Sequence, residues 1–427
     1  MWLLLLMILV MPYEANPYLY LADDLLGIFP DFTLIKLLGL LGFAWAGLRI
    51  MTSGGPPGGL LGSRIARLFL LFFAGVVFAG LFSGTGFAAV SRYLAFLLFL
   101  PFVLMAVRGQ RDLRMVLYGL ALSLVLVFPY ALRQMIRFDS RLGVGLYETN
   151  YFAAILVLVL PLAFVIALQQ PGGLTRWGWM TAALTLLGML FLTSSRGGFV
   201  GLLAAAMVFV YRRRGALGAL GVMAALVAAI FVLPTDLGTR ALATLFQDSA
   251  DLPPGLEESN RAHTALFWAA LRMISENPML GVGPARFKEL STLYTDVDVP
   301  AHIAHNTFLE IGAEFGLPVL GVFVLLVLAT LGTLSRAMRL RGSPGARELA
   351  GWAEGLRAGL IGFLICGLFI SAQYEKVFWL TIFLSIPIGV LARRYQAAAR
   401  ASETPAAAEA TAPPPPPGLT PVPEGAR

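Results

Sequence analysis

Apolar residues fall along this chain in long blocks, and not in the period-two alternation of half-buried strands. The blocks lie at 2–13, 30–52, 66–83, 91–107, 113–130, 150–168, 176–193, 197–211, 216–233, 317–338, 353–371 and 376–392. A helix rises about 1.5 Å per residue, so roughly 20 apolar residues cross a ~30 Å hydrocarbon core. The pattern predicts an all-α polytopic membrane protein with about 12 transmembrane helices. The first block, apolar from Trp2 to Met11, is short for a span and lacks the basic stretch that opens a cleaved signal peptide.

The polar positions divide the chain. Nine predicted helices occupy 1–233, a long polar connection runs over 234–316, and three more helices fill 317–395. The tail, 396–427, is rich in Ala and Pro and is predicted to be a disordered cytoplasmic segment. Alternate connections carry Arg49, Arg64 and Arg67; Arg108, Arg111 and Arg114; Arg176; Arg212, Arg213 and Arg214; Arg336, Arg339, Arg341, Arg347 and Arg357; and Arg393, Arg394 and Arg400. Cytoplasmic loops of membrane proteins are rich in such residues, so this set is assigned to the cytoplasm and 234–316 to the opposite side. One outer connection breaks the rule. The stretch "ALRQMIRFDSRLGVGLYET" (131–149) contains Arg133, Arg137 and Arg141. Either the neighbouring span is shifted or headgroups are bound there, or the arginines attract an anionic substrate.

Composition agrees with a membrane solvent. The chain is 58% hydrophobic and 13% charged, against about 25% charged in soluble domains. Its net charge of +7 follows from cytoplasmic Arg and Lys and does not call for nucleic acid. The single cysteine, Cys366, excludes an internal disulfide and a CxxC metal site.

All three histidines lie in the long polar connection. There, "NRAHTALFWAALRMISENP" reads as a helix with Ala265, Trp268, Ala269, Arg272 and Met273 on one face, stopped by Pro278. Pro284 opens a second helix. "AHIAHNTFLEIGAEFGL" (301–317) carries His302 and His305. Thr307 and Glu310 fit a capping box, and Gly316 and Pro318 are stop signals. His305 then precedes a helix N-terminus, whose positive end disfavours imidazolium. A histidine kept neutral can serve as a general base. The residue type by itself favours a plainer role, with His305 packing the helix entry and Asn306 bonding to a loop. No cysteine or carboxylate spacing completes an H-x-x-H metal site.

Arg196 in "FLTSSRGGFVGLL" interrupts two apolar runs. It is either a functional charge at the membrane edge or an arginine snorkelling to headgroups. Arg261 opens the loop helix. Ordinary surface charge is the simpler reading of Arg272, Arg286 and Lys288, although a planar guanidinium suits bidentate capture of phosphate oxygens.

Four stretches together resemble the bacterial O-antigen ligase and polymerase superfamily of membrane glycosyltransferases. They are "RLGVGLYETNYFAAILVLVLPL" (141–162), "LTSSRGGFVGLL" (192–203), "RAHTALFWAALRMISENPMLGVGPARF" (261–287) and "AHNTFLEIGAEFGLPVLGVF" (304–323). Each is weak alone and their order is specific. One departure is Thr149 before Asn150, where relatives often carry proline. The resemblance implies transfer of a glycan from undecaprenyl diphosphate to an acceptor hydroxyl without metal or nucleotide, on the periplasmic side of a bacterial inner membrane. It implies that Arg196 and Arg261 hold the diphosphate and that His305 activates the acceptor; direct attack from the face opposite the diphosphate is then expected to invert the anomeric centre. Arg141 and Asn150 match the first motif and, with Asn306, Arg286, Arg137 and His302, complete the expected substrate-binding set. The expected acceptor is a sugar of lipid A core. A polymerase joining lipid-linked repeat units is the nearest rival. A transporter is the rival from another class, disfavoured because the ionisable residues gather at one outer edge and not at span centres.

Overall fold

The computed structural model describes residues 1–410 apart from 15, 26–28, 57, 58, 60, 139, 145–147, 233–237, 239–255 and 297–299. Helices α1 (Trp2–Val10), α2 (Leu34–Ser53), α3 (Arg64–Phe82), α4 (Gly86–Ala106), α5 (Gln110–Leu126), α6 (Phe128–Phe138), α7 (Thr149–Gln169), α8 (Gly173–Leu192) and α9 (Arg196–Val232) form the first part of the bundle. α10 (Leu256–Glu276) lies in the polar connection, and α11 (Thr307–Ala337), α12 (Pro344–Cys366) and α13 (Lys376–Ala410) complete the bundle. A small antiparallel hairpin, β1 (Tyr20–Leu25) and β2 (Phe29–Thr33), precedes α2.

Each predicted apolar block lies largely in helix. Seven helical segments among the described residues are long and apolar enough to cross a membrane: 34–53, 64–82, 110–138, 149–169, 307–337, 344–366 and 376–401. The chain is thus a multi-pass membrane protein. Two further apolar helices, 2–13 and 90–106, are shorter, and the helices at 173–192 and 196–232 fall outside that set. Among the described residues, length and apolarity thus support seven of the expected 12 spans.

Several boundaries move, for identifiable reasons. The 30–52 block begins in β2, so its helix starts only at Leu34. The path through α5 and α6 continues to Phe138, which puts Arg133 and Arg137 on a helix, both exposed. The blocks 197–211 and 216–233 are the two limbs of α9, joined at Gly215 with φ 70°. α12 starts at Pro344, with the Ser343 hydroxyl accepting from Ala346 N, so Arg357 lies inside a helix and not in a loop. α13 runs to Ala410, past the predicted start of the tail, and 411–427 lie outside the described residues.

The ends of the bundle sort as the arginine pattern predicts. At one end Arg114 pairs with Glu348 at 2.6 Å and Arg213 with Glu354 at 2.7 Å. Gln110 donates to the Gly345 carbonyl there, and Arg212 to the Met338 carbonyl. At the other end the connection at 148–150 meets 193–197, the connection at 302–307 meets 367–376, and 278–287 closes on the first turns of α11, by hydrogen bonds given below.

Beneath that second end sits an aromatic core. Trp379 is fully buried and packs against Phe69, Phe72, Phe96 and Phe383. Between helices in lipid no hydrophobic drive favours association, so close contact needs small residues. α12 supplies Gly351, Gly355 and Gly359 at four-residue spacing against α7. A Cβ on Gly355 would lie 2.7 Å from Leu162 Cα, and one on Gly359 would overlap the Leu158 carbonyl. Gly359→Leu is expected to force α12 off α7 and cost at least about 1–3 kcal/mol. Thermal unfolding in detergent measures this, and an unchanged melting temperature would show that the helices part freely.

Candidate functional site

The second end carries nearly every predicted site residue. The turn before α9 explains how Arg196 is set. Ser194 adopts φ 48°, a left-handed conformation uncommon outside glycine. Ser195 follows as the N-cap, its hydroxyl oxygen accepting from Gly198 N at 3.1 Å. The same hydroxyl donates to Asn150 Oδ1 at 2.8 Å, and Asn150 Nδ2 donates to Glu148 Oε1 at 2.9 Å. Arg196 is therefore the first residue of a capped helix, braced against the start of α7. Asn150, expected to bind substrate, is engaged in this brace. Leu142 N donates to the Leu192 carbonyl at 3.1 Å and holds the half-buried Arg141 segment against the end of α8. Arg137 stacks over its neighbour Phe138 at 5.5 Å, outside this brace.

The start of α11 differs from the expected capping box. Asn306 is the N-cap, with Oδ1 accepting from Phe308 N at 3.0 Å and Leu309 N at 3.1 Å. Its Nδ2 donates to the Leu368 carbonyl at 3.2 Å. Thr307 turns to the 367–372 connection instead, donating to the Ile370 carbonyl and accepting from Ala372 N. The buried Glu310 carboxylate accepts from Ala304 N at 2.9 Å, from Gln373 Nε2 at 2.7 Å and from the Ser371 hydroxyl. A carboxylate thus fixes the backbone one residue before His305. His305 itself has φ 50°. Non-glycine residues in this region cost of order 1–3 kcal/mol and gather at functional sites.

α11 is broken at Gly316, with φ 82°. The turn after α10 closes against its first limb. Val282 N donates to the Ala313 carbonyl at 2.8 Å and Gly283 N to the Glu314 carbonyl at 3.0 Å. Only glycine fits at 281, where φ is 65° and a Cβ would overlap the Ala313 and Glu314 backbone. The buried Glu314 carboxylate accepts from Phe287 N at 3.3 Å, which secures the turn that carries Arg286. Arg286 lines an open cleft of about 540 Å³ with Phe82, Asn277, Met279 and Tyr294.

α10 rotates relative to the sequence reading. Its buried face is Leu266, Ala269, Ala270 and Met273, while Trp268 is 56% exposed and Arg272 pairs at the surface with Asp296. Arg272 reads as apolar-face by spacing alone; its ion pair draws it outward. His263 falls on the buried face, at i, i+3, i+7 and i+10 with Leu266, Ala270 and Met273. Arg261, two residues earlier, is exposed on the side that bears Thr264 and Trp268.

The rotation brings all three histidines together. The His263 and His305 rings lie 4.3 Å apart, and the His302 and His305 rings 4.5 Å apart, stacked at 18°. His302 is exposed and His305 partly covered. Histidine spacing singles out His302 and His305 but not His263, for which a polar residue on the apolar face of a loop helix is the available signal. Among the described residues no group of three His, Cys, Asp or Glu side chains has the disposition of a metal site.

Burial first, then the nearby charges of His263 and His302, push His305 down to about 3. Burial is the main reason it stays neutral. His263 is also lowered, by burial most and by the Arg196 guanidinium next; His302 lowers it further and Glu148 opposes. Arg196, His263 and His305 therefore belong to one electrostatic unit. Neutral His305 can accept a proton, and the arginine can meet an anion.

No curated protein matches the chain. Residues 181–324 match the family model described as O-antigen ligase. The matched segment runs from α8 past the kink of α11 and includes Arg196 and the whole histidine cluster, so over that stretch the chain is similar to the O-antigen ligase family.

Proposed function

We propose that this chain is a metal-independent, inverting glycosyltransferase of the O-antigen ligase type. It moves a glycan from undecaprenyl diphosphate to a hydroxyl of lipid A core on the periplasmic face of the bacterial inner membrane. The observation that carries this reading is His305, held neutral in a histidine cluster on which the Arg196 charge acts. In the reaction, the acceptor hydroxyl gives its proton to His305 as its oxygen attacks the anomeric carbon. The bond from that carbon to the diphosphate oxygen breaks, and its electron pair leaves with the diphosphate. Arg196 offsets the charge that develops there, a preorganised electrostatic contribution of the kind that often dominates catalysis. Attack opposite the leaving group inverts the centre. Arg261 and Arg286, on the same end of the bundle, are assigned to the donor's phosphates, and Arg137, Arg141, Asn306 and His302 to the rim of the substrate path.

Arginine sorting between the two bundle ends supports the periplasmic placement of the site. A polymerase using the same donor site differs only in acceptor. The product in a deletion strain separates the two. Long-chain glycan accumulating on the carrier lipid is the expected result, and cores capped with a single repeat would favour the polymerase. The purified chain should transfer glycan from lipid diphosphate to core acceptor in the presence of chelator. Dependence on added divalent metal would count against the mechanism.

A further inference from the structure

His263 has no role in the reaction as written, yet its ring is the closest partner of His305, at 4.3 Å. It reaches that position because α10 buries the face carrying Leu266, Ala270 and Met273. The charged and titratable groups facing it come from three other elements. They are Arg196 at the start of α9, Glu148 ahead of α7, and His302 with His305 ahead of α11. On its own helix Arg261 is exposed two residues away.

This arrangement poses a chemical problem. Buried beside two other imidazoles, His305 is a weak base in the empty site, whereas a general base works best when its proton affinity matches the working pH. Something must raise its affinity when substrate is present. The acceptor is a neutral hydroxyl and cannot. An anion at Arg196 can, because it offsets the positive charge that opposes a proton on the histidines.

We propose that His263 is a positioning residue that couples an anion bound at Arg196 to His305, so that occupancy of the donor site makes the base competent. This rests on the assignment of Arg196 to the donor diphosphate. The two imidazoles then accept one proton between them, with His263 nearest the anion and His305 nearest the acceptor. Glu148, held by Asn150, adds a fixed negative charge on the His263 side. The order of events is donor first, then proton transfer.

The test uses the full chain in detergent, labelled with 15N-histidine, and inorganic pyrophosphate as the probe. Binding is followed separately by calorimetry. In the wild type, pyrophosphate is expected to raise the midpoint of the cluster's titration by about 1 pH unit, since an opposite charge nearby favours the protonated form. His263→Gln and His263→Phe should still bind pyrophosphate, and the His305 response should shrink to a small fraction of the wild-type shift. Two variants guard against a fold defect in either one. Pyrophosphate binding without a shift, or an undiminished His305 shift in both variants, would overturn the coupling and leave the donor-site assignment standing. Failure of pyrophosphate to bind the wild type would overturn the donor-site assignment, and the coupling with it.

Discussion

His305→Ala is expected to lower glycan transfer by about 10²–10⁴-fold at pH 7, the range of general-base assistance, while donor binding persists. The basis is geometric. His305 sits at the mouth of α11 in a left-handed conformation, its preceding residue tied to Glu310 and its following residue capping the helix. The ring is thus held by backbone as well as by its histidine neighbours. With His305 pushed down to about 3 in the empty site, the imidazole is neutral throughout pH 5–8. The acid limb of kcat/KM, which reports the free enzyme, should therefore show no His305 step in that window. The same shift bears on stability. The folded state disfavours the protonated ring, whose unfolded value is about 6.5, so stability contributed above that pH is lost as pH falls toward 3. The Ala variant should be less sensitive to acid over that interval, as well as inactive. Transfer within twofold of wild type would remove the base role, and melting curves at pH 7 separate that outcome from misfolding.

Arg196→Lys is expected to cost about 10²–10³ in turnover, the effect of removing one preorganised donor from a site of developing charge. The exchange keeps the positive charge and loses the fork that engages two phosphate oxygens at once. The bracing Ser195–Asn150–Glu148 chain is left intact, so the new side chain starts from the same capped helix turn. Single-turnover rates with lipid-diphosphate donor measure the effect. Near-normal rates would show that charge alone suffices, and that the fork geometry is not used.

The four motifs are contiguous in neither chain nor space until the bundle closes, and the structure clarifies what each residue does. Asn150 braces Arg196. Asn306, and not Thr307, caps α11, because the threonine hydroxyl is drawn to the 367–372 connection. Glu310 serves the backbone before His305 in place of the expected cap. For Thr307 and Glu310 a local rule named the right segment and the wrong partner, since Ile370 and Ser371 lie about 60 residues away in the chain.

The membrane class and the helical path were legible from the sequence alone, because long apolar blocks have one stable form in lipid: every backbone group must be satisfied within the segment. The sorting of arginines between two ends was legible for a similar reason, charge being confined to the aqueous faces. His305 and Arg196 could be singled out because an ionisable residue at an apolar edge is conspicuous. The meeting of His263 with His305 was not legible. It depends on which face α10 buries, and that face is chosen by the packing of Leu266, Ala270 and Met273 against Val282 and Phe287 of the turn that follows and Ala313 of α11. Hydrophobic spacing fixes a helix's period but leaves its rotation to its neighbours, so only the tertiary structure decided that three histidines share one site.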